Sequence, residues 1–172
     1  MLNIKNKSKI ILLLLIIILL GFGFIYTWYT WKQSQLIASS QALQKAQVSA
    51  IALDGEMLKQ LKGVSDDVGT IAYKSIKNRL VELQKNYSDA RFIYFYTQRD
   101  NKLYFLVDSE TEGSKDLAPA GMEYIITGNE YAKPFSDGTS IITKPAIDEW
   151  GTWVSVLVPI KDPLTNNFEL RN

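Results

Sequence analysis

The chain contains neither histidine nor cysteine, so chemistry near neutral pH falls to carboxylates, lysines, arginines, tyrosines and hydroxyls. Thiol nucleophiles, thiolate metal sites, covalent haem attachment, histidine-based triads and phosphoryl-accepting histidines are all excluded. Two carboxylate pairs have the spacing to be weighed for glycosidase-like acid–base work: Asp108 with Glu110, and Asp148 with Glu149. Neighbours on a strand point to opposite faces, which argues against Asp148 and Glu149 sharing a substrate. The reading is a protein that is not an enzyme and that needs no cofactor. The acids Asp108, Glu110, Glu112 and Asp116 suit a cation or an amine, whereas Arg91 and Lys144 suit an anion. The sequence leaves that choice open.

The elements that hold these residues follow from hydrophobic period. Ala72, Ile76, Leu80 and Leu83 recur at helical spacing, with Thr70 or an Asp before it as the cap and the Gly63 to Gly69 stretch as the break ahead of it. After Asn86-Tyr87-Ser88-Asp89 the period changes to two. Phe92–Thr97 and Leu103–Asp108 read as strands joined by a five-residue loop, Gln98 to Lys102. A polar loop from Asp108 to Gly121 leads into a short helix within Met122–Tyr131. Ser140–Thr143 and a long Trp153–Ile160 run are further strands, and the Asp162 to Asn167 turn leads to a last one, Phe168–Arg171. Both faces of this sheet are more apolar than a water-facing sheet requires. One face is expected to pack on a long N-terminal helix and the other to lie under the Asp108–Tyr131 segment, which roofs a cavity. The fold class is α+β: a transmembrane helix continuing into a long helix, then a roughly five-stranded antiparallel sheet.

The N-terminal part is the plainest signal in the chain. An unbroken apolar run, Ile10 to Ile25, follows Lys5, Lys7 and Lys9 and precedes Tyr26, Trp28, Tyr29 and Trp31. About 20 helical residues cross a hydrocarbon core of about 30 Å. The cationic head places residues 1–9 in the cytoplasm, 10–31 across the membrane and 32–172 outside, with the aromatic rings at the outer headgroup level. A cleaved signal peptide is the competing reading. Its apolar core is normally about 7–15 residues with a small-residue site close behind, where this chain has its aromatic belt. Beyond Lys32, Leu36, Leu43, Ala50 and Met57 recur every seven residues, which extends the helix to about Leu61 and makes it a candidate contact between two copies. Fifteen bases against eighteen acids from residue 33 onward, net −3, give no nucleic-acid surface.

Three stretches, taken in order, resemble a known family: Asp89-Ala90-Arg91-Phe92-Ile93-Tyr94; Leu103 through Glu110; and Asp148-Glu149-Trp150-Gly151-Thr152-Trp153-Val154-Ser155 with Pro159 to Pro163. Together they resemble the extracytoplasmic PAS-like (Cache-type) sensor region of bacterial transmembrane receptors, over roughly Leu53 to Pro163. Where that family more often has Asp-Pro-x-Thr-Gly, this chain has Asn166 in place of the glycine, a residue that tolerates the left-handed turn position. The resemblance implies a cell-membrane receptor that senses a small ligand or ion and signals through its N-terminal helix as a homodimer. It also implies that a completed last strand, a second apolar segment and a histidine kinase or diguanylate cyclase follow. The alternative is a stand-alone anchored binding or adaptor protein. In such a fold the cavity is expected to be bordered by Tyr94, Tyr96, Tyr104, Asp108, Tyr124, Trp150, Trp153 and Ser155, with no metal site.

Overall fold

A computed structural model describes residues 4–53, 55–87, 89–126 and 129–160. The expected turn after Lys161 and the strand Phe168–Arg171 lie outside the described residues. The chain divides into two compact units, Met1–Gln41 and Ala42–Asn172.

The first unit is carried by helix α1, Ile4–Ala52, which runs on into the second. It is long and apolar enough to cross a membrane. Every large apolar side chain from Ile10 to Ile25 is exposed within the described residues, Leu19 to 72% and Phe24 to 76%, a surface that suits lipid as its solvent. Two hydroxyls at the end of this stretch are satisfied within the helix, Thr27 Oγ1 donating to the Gly23 carbonyl at 2.8 Å and Thr30 Oγ1 to that of Tyr26 at 3.0 Å.

In the second unit α1 ends at Ala52 and a single turn, α2 (Gly55–Leu58), follows, so the helix expected to reach Leu61 is interrupted. The chain then turns through Gly63 (φ +68°) and a 3-10 segment, Ser65–Gly69. One buried carboxylate organises this turn: Asp67 Oδ2 accepts from the amides of Lys62, Gly63 and Val64 at 2.8, 2.7 and 3.1 Å. Thr70 caps helix α3 (Ile71–Asn86), its hydroxyl accepting from Tyr73 N at 3.1 Å, as its position predicts. The i, i+4 stripe of Ala72, Ile76 and Leu80, with Tyr73, buries against Leu106, Val107, Leu61 and Ala120.

Strands β1 (Tyr94–Arg99) and β2 (Lys102–Asp108) form an antiparallel hairpin. Its loop is tighter than expected, two residues instead of five. Asp100 (φ 52°) and Asn101 (φ 59°) both take the left-handed conformation that matches the twist of the strands. The register shifts between Phe95 and Tyr96, leaving Leu106 as the extra residue on β2. This sends Phe95 and Val107 to the α3 side, while Tyr94, Tyr96 and Phe105 go to the other. The sheet face expected to meet the long helix is therefore covered by α3. On the far edge of β2, residues 121–124 continue the ladder, with Gly121 N donating to Phe105 O at 2.8 Å and Tyr124 N to Leu103 O at 2.8 Å.

The short helix expected within Met122–Tyr131 lies further on, as a 3-10 turn at Asn129–Ala132 followed by α4 (Lys133–Ser136). The expected long strand from Trp153 to Ile160 is broken. Strand β5 (Gly151–Trp153) folds back on β4 (Ala146–Asp148), and β6 (Val156–Leu157) pairs with β3 (Ile141–Ile142). The break falls where Ser155 N donates to Thr143 Oγ1 and Thr143 N to Ser155 O, both at 2.9 Å. The described strands thus form three two-stranded antiparallel sheets. A five-stranded sheet is not among them.

Candidate functional site

The side of the hairpin away from α3 is aromatic. Tyr94 and Tyr96 leave β1 at alternate positions, β2 adds Phe105, and the segment beside β2 adds Tyr124. Trp150 arrives on the β4–β5 turn, where Asp148 Oδ1 accepts from the amides of Trp150 and Gly151 at 2.9 and 3.1 Å. The rings meet edge to face, Tyr94 on Phe105 at 5.1 Å, Tyr94 on Tyr124 at 5.9 Å and Phe105 on Trp150 at 5.8 Å, the arrangement their quadrupoles prefer.

The hydroxyls of this cluster form a chain. Tyr94 donates to Tyr124 Oη at 3.4 Å, and Tyr124 donates to Asp148 Oδ2 at 3.1 Å. Tyr96 donates to the Tyr131 carbonyl at 2.9 Å, and Tyr131 shares a 2.9 Å hydrogen bond with Ser155 Oγ. Burial raises the pKa of the Tyr94 phenol to about 12 and drives those of Tyr96 and Tyr124 upward as well. Tyr94, Tyr96 and Tyr124 are neutral donors across the physiological range. Asp148, weighed in the sequence as half of a carboxylate pair, receives the end of this hydroxyl chain. Tyr131 and Phe92 also belong to the cluster, Phe92 packing edge-on to Trp153 at 5.1 Å. Phe92, read as the first residue of a strand, and Tyr131, read as the end of a short helix, were not among the residues expected at the cavity.

Tyr94, Tyr96, Tyr124, Trp150, Trp153, Ser155 and Asp108 all border one cavity of about 460 Å³. Tyr104 does not border it. It projects elsewhere from β2, with the Arg99 guanidinium 4.3 Å over its ring. Asp108 is buried, with both oxygens engaged: Oδ1 accepts from Glu110 N at 3.1 Å and Oδ2 from Ala118 N at 2.8 Å. It clamps the ends of the 109–118 loop. Burial raises its pKa more than these two amides and Lys77 lower it. Trp153 Nε1 is buried without a hydrogen-bond partner among the described residues.

Several charges around the site are paired with one another. Arg91 bridges Glu110 and, at 2.6 Å, Asp116, and its guanidinium lies 4.4 Å over Phe92. Lys45 binds Asp89 at 2.7 Å. Of the acids expected to be open to a cation, Glu110 and Asp116 are neutralised by Arg91 and Asp108 is engaged by amides, while Glu112 is exposed. No group of three or more acids among the described residues is arranged to hold a metal. Comparison with protein-family models, with curated proteins and with solved structures returns no match. The site's chemistry therefore rests on its own residues.

Proposed function

We propose that this chain is the membrane-anchored, extracytoplasmic sensing module of a transmembrane receptor. The observation that carries the reading is a concave aromatic face with a buried hydroxyl chain, bordering a cavity of about 460 Å³, in the unit that follows an apolar helix fit for a membrane. Cavities of this size with apolar walls and a few converging polar groups are where small ligands bind. In the proposed mechanism α1 crosses the membrane with its lysine-bearing end in the cytoplasm and contacts a second copy along its membrane-proximal stretch. A small molecule or ion on the aromatic face changes how the 109–126 segment packs on the hairpin. The change reaches α1 because the state that binds the ligand better is the state whose population grows.

Two measurements test the reading. The chain has no native cysteine, so Lys7→Cys and Lys115→Cys report topology through a membrane-impermeant maleimide on intact cells. Labelling is expected at 115 alone, and labelling at 7 would reverse the orientation. A thermal-shift screen of small amines and carboxylates then addresses the site, a hit being expected to lose its effect in Trp153→Ala. Unchanged response and unchanged stability in that variant would remove the cavity from the mechanism.

A further inference from the structure

Within the second unit, the last stretch of α1, residues 42–52, is held by polar groups and not by the core. None of its residues is buried, and none belongs to either apolar cluster or to the partly buried side chains packed on them. Toward the cavity it presents Ala42, Ala46, Ser49 and Ala50, short side chains that gain little from apolar burial or dispersion. The contacts it does make are directional. Lys45 Nζ lies 2.9 and 2.7 Å from the two carboxylate oxygens of Asp89 and 5.5 Å from the ring centre of Tyr87. Ser49 Oγ donates to Tyr87 Oη at 3.1 Å, and Gln47 Nε2 reaches Ser140 Oγ at 3.5 Å. The corner that receives them is firm. Tyr87 is the C-cap of α3, its amide donating to the carbonyls of Leu83 and Gln84 at 3.0 and 3.2 Å, and Ala90 N donates to Tyr87 O at 2.9 Å. Gln84 Nε2 donates to Arg91 O at 2.8 Å, just ahead of β1.

The ion pair at the centre of this contact stands in water, with 42% of the Lys45 side chain and 58% of that of Asp89 exposed. Exposed pairs are weak and are screened by salt, whereas apolar burial does not depend on charge screening. A helix held by its core contacts would ignore the electrolyte. This one is held by the kind of contact that the electrolyte dissolves. We propose that Lys45, Asp89 and Tyr87 form a clasp that reads ionic strength: dilute salt holds the end of α1 against the α3–β1 corner, and concentrated salt releases it. Because α1 runs unbroken from Ile4 to Ala52, the released stretch is part of the same helix that carries the apolar run. The stimulus is the electrolyte itself, acting on residues other than those of the aromatic cluster. The clasp therefore goes beyond the ligand reading and stands whether or not the aromatic face takes a small molecule.

The test uses the full chain in nanodiscs and its cysteine-free background. Nitroxides at Gln44→Cys on α1 and Asn78→Cys on α3, both exposed positions, report the separation of the two helices by pulsed dipolar spin resonance. Potassium chloride is raised from about 0.01 M to about 1 M, which shortens the Debye length from about 30 Å to about 3 Å. The ratio of held to released helix is expected to fall by about twofold to fivefold, the range an exposed pair supports. Sucrose at matched osmolality is expected to leave it unchanged. Lys45→Ala and Asp89→Ala should each give a low ratio that no longer responds to salt. Exchanging the charges, Lys45→Asp with Asp89→Lys, should restore both the held state and its salt response. A ratio in the wild-type chain that salt does not move overturns the proposal, as does an equal response to sucrose. A salt response that survives in Lys45→Ala, or a charge exchange that behaves like the alanine variants, places the hold elsewhere and also overturns it.

Discussion

Replacing Asp67 with Asn tests whether one buried carboxylate holds the approach to α3. Its Oδ2 accepts three backbone amides, from Lys62, Gly63 and Val64, at 2.7–3.1 Å, and the residue is 4% exposed. Hydrogen bonds to a charged acceptor are worth about 1.5–3 kcal/mol and neutral ones about 0.5–1.5, so neutralising the acceptor forfeits about 1 kcal/mol per bond. Three bonds make about 3 kcal/mol. Relief of the carboxylate's desolvation offsets part of this and leaves a loss of about 2 kcal/mol. The neighbouring Asp66→Asn is the control, since Asp66 is exposed and surface changes usually stay within about 0.5 kcal/mol. Urea unfolding of the full chain in detergent, followed by near-ultraviolet circular dichroism, reads both. A loss below about 0.5 kcal/mol in Asp67→Asn, or an equal loss in Asp66→Asn, would refute the assignment of this turn to the Asp67 side chain.

Gly121 sits at φ +83°, and a Cβ there would meet Val64 Cα at 3.0 Å and the Gly63 carbonyl at 3.1 Å. Gly121→Ala is expected to cost about 2 kcal/mol or more in the same unfolding experiment, because backbone stands on both sides. Asn101→Gly is expected to stabilise by about 0.5 kcal/mol, since glycine adopts the observed φ of 59° without strain; a loss of stability would mean the Asn side chain anchors the turn. Burial raises the Asp108 pKa above 3.8, so the folded state holds that proton more tightly than the unfolded chain. Its ionisation then lowers stability as pH rises through the folded pKa. The stability of the wild-type chain relative to Asp108→Asn should accordingly increase as pH falls from 7 through that pKa and level off below about 3.8. A difference that shrinks over the same range would show that the amides of Ala118 and Glu110 outweigh burial.

What was legible in the sequence rests on local physics. The apolar run of α1 needs no partner to declare itself, because its length and composition already match a bilayer. Thr70 caps α3 through a hydrogen bond to Tyr73, three residues on, and the α3 stripe follows from 3.6 residues per turn. The alternation of Tyr94 and Tyr96 against Ile93 and Phe95 likewise exposed the hairpin and part of its aromatic face, whereas Phe105 and Val107, two residues apart, are sent to opposite faces only by the bulge at Leu106, which was not visible. The apolar character of 153–160 suggested one strand, yet which neighbour each residue pairs with is not a property of the run itself. Thr143, twelve positions before Ser155, and Asp148, which accepts the Trp150 and Gly151 amides, split it in two. Asp108 offered itself as a ligand for a cation, and packing made it a loop clamp, because a buried carboxylate takes the nearest free amides. Helices and a hairpin were determined by neighbours in sequence. The covering of the sheet by α3, the joining of Tyr94, Tyr124 and Asp148 into one hydroxyl chain and the cavity beside β1 were decided only in the tertiary structure, where residues far apart in the chain compete for the same donors, acceptors and apolar surface.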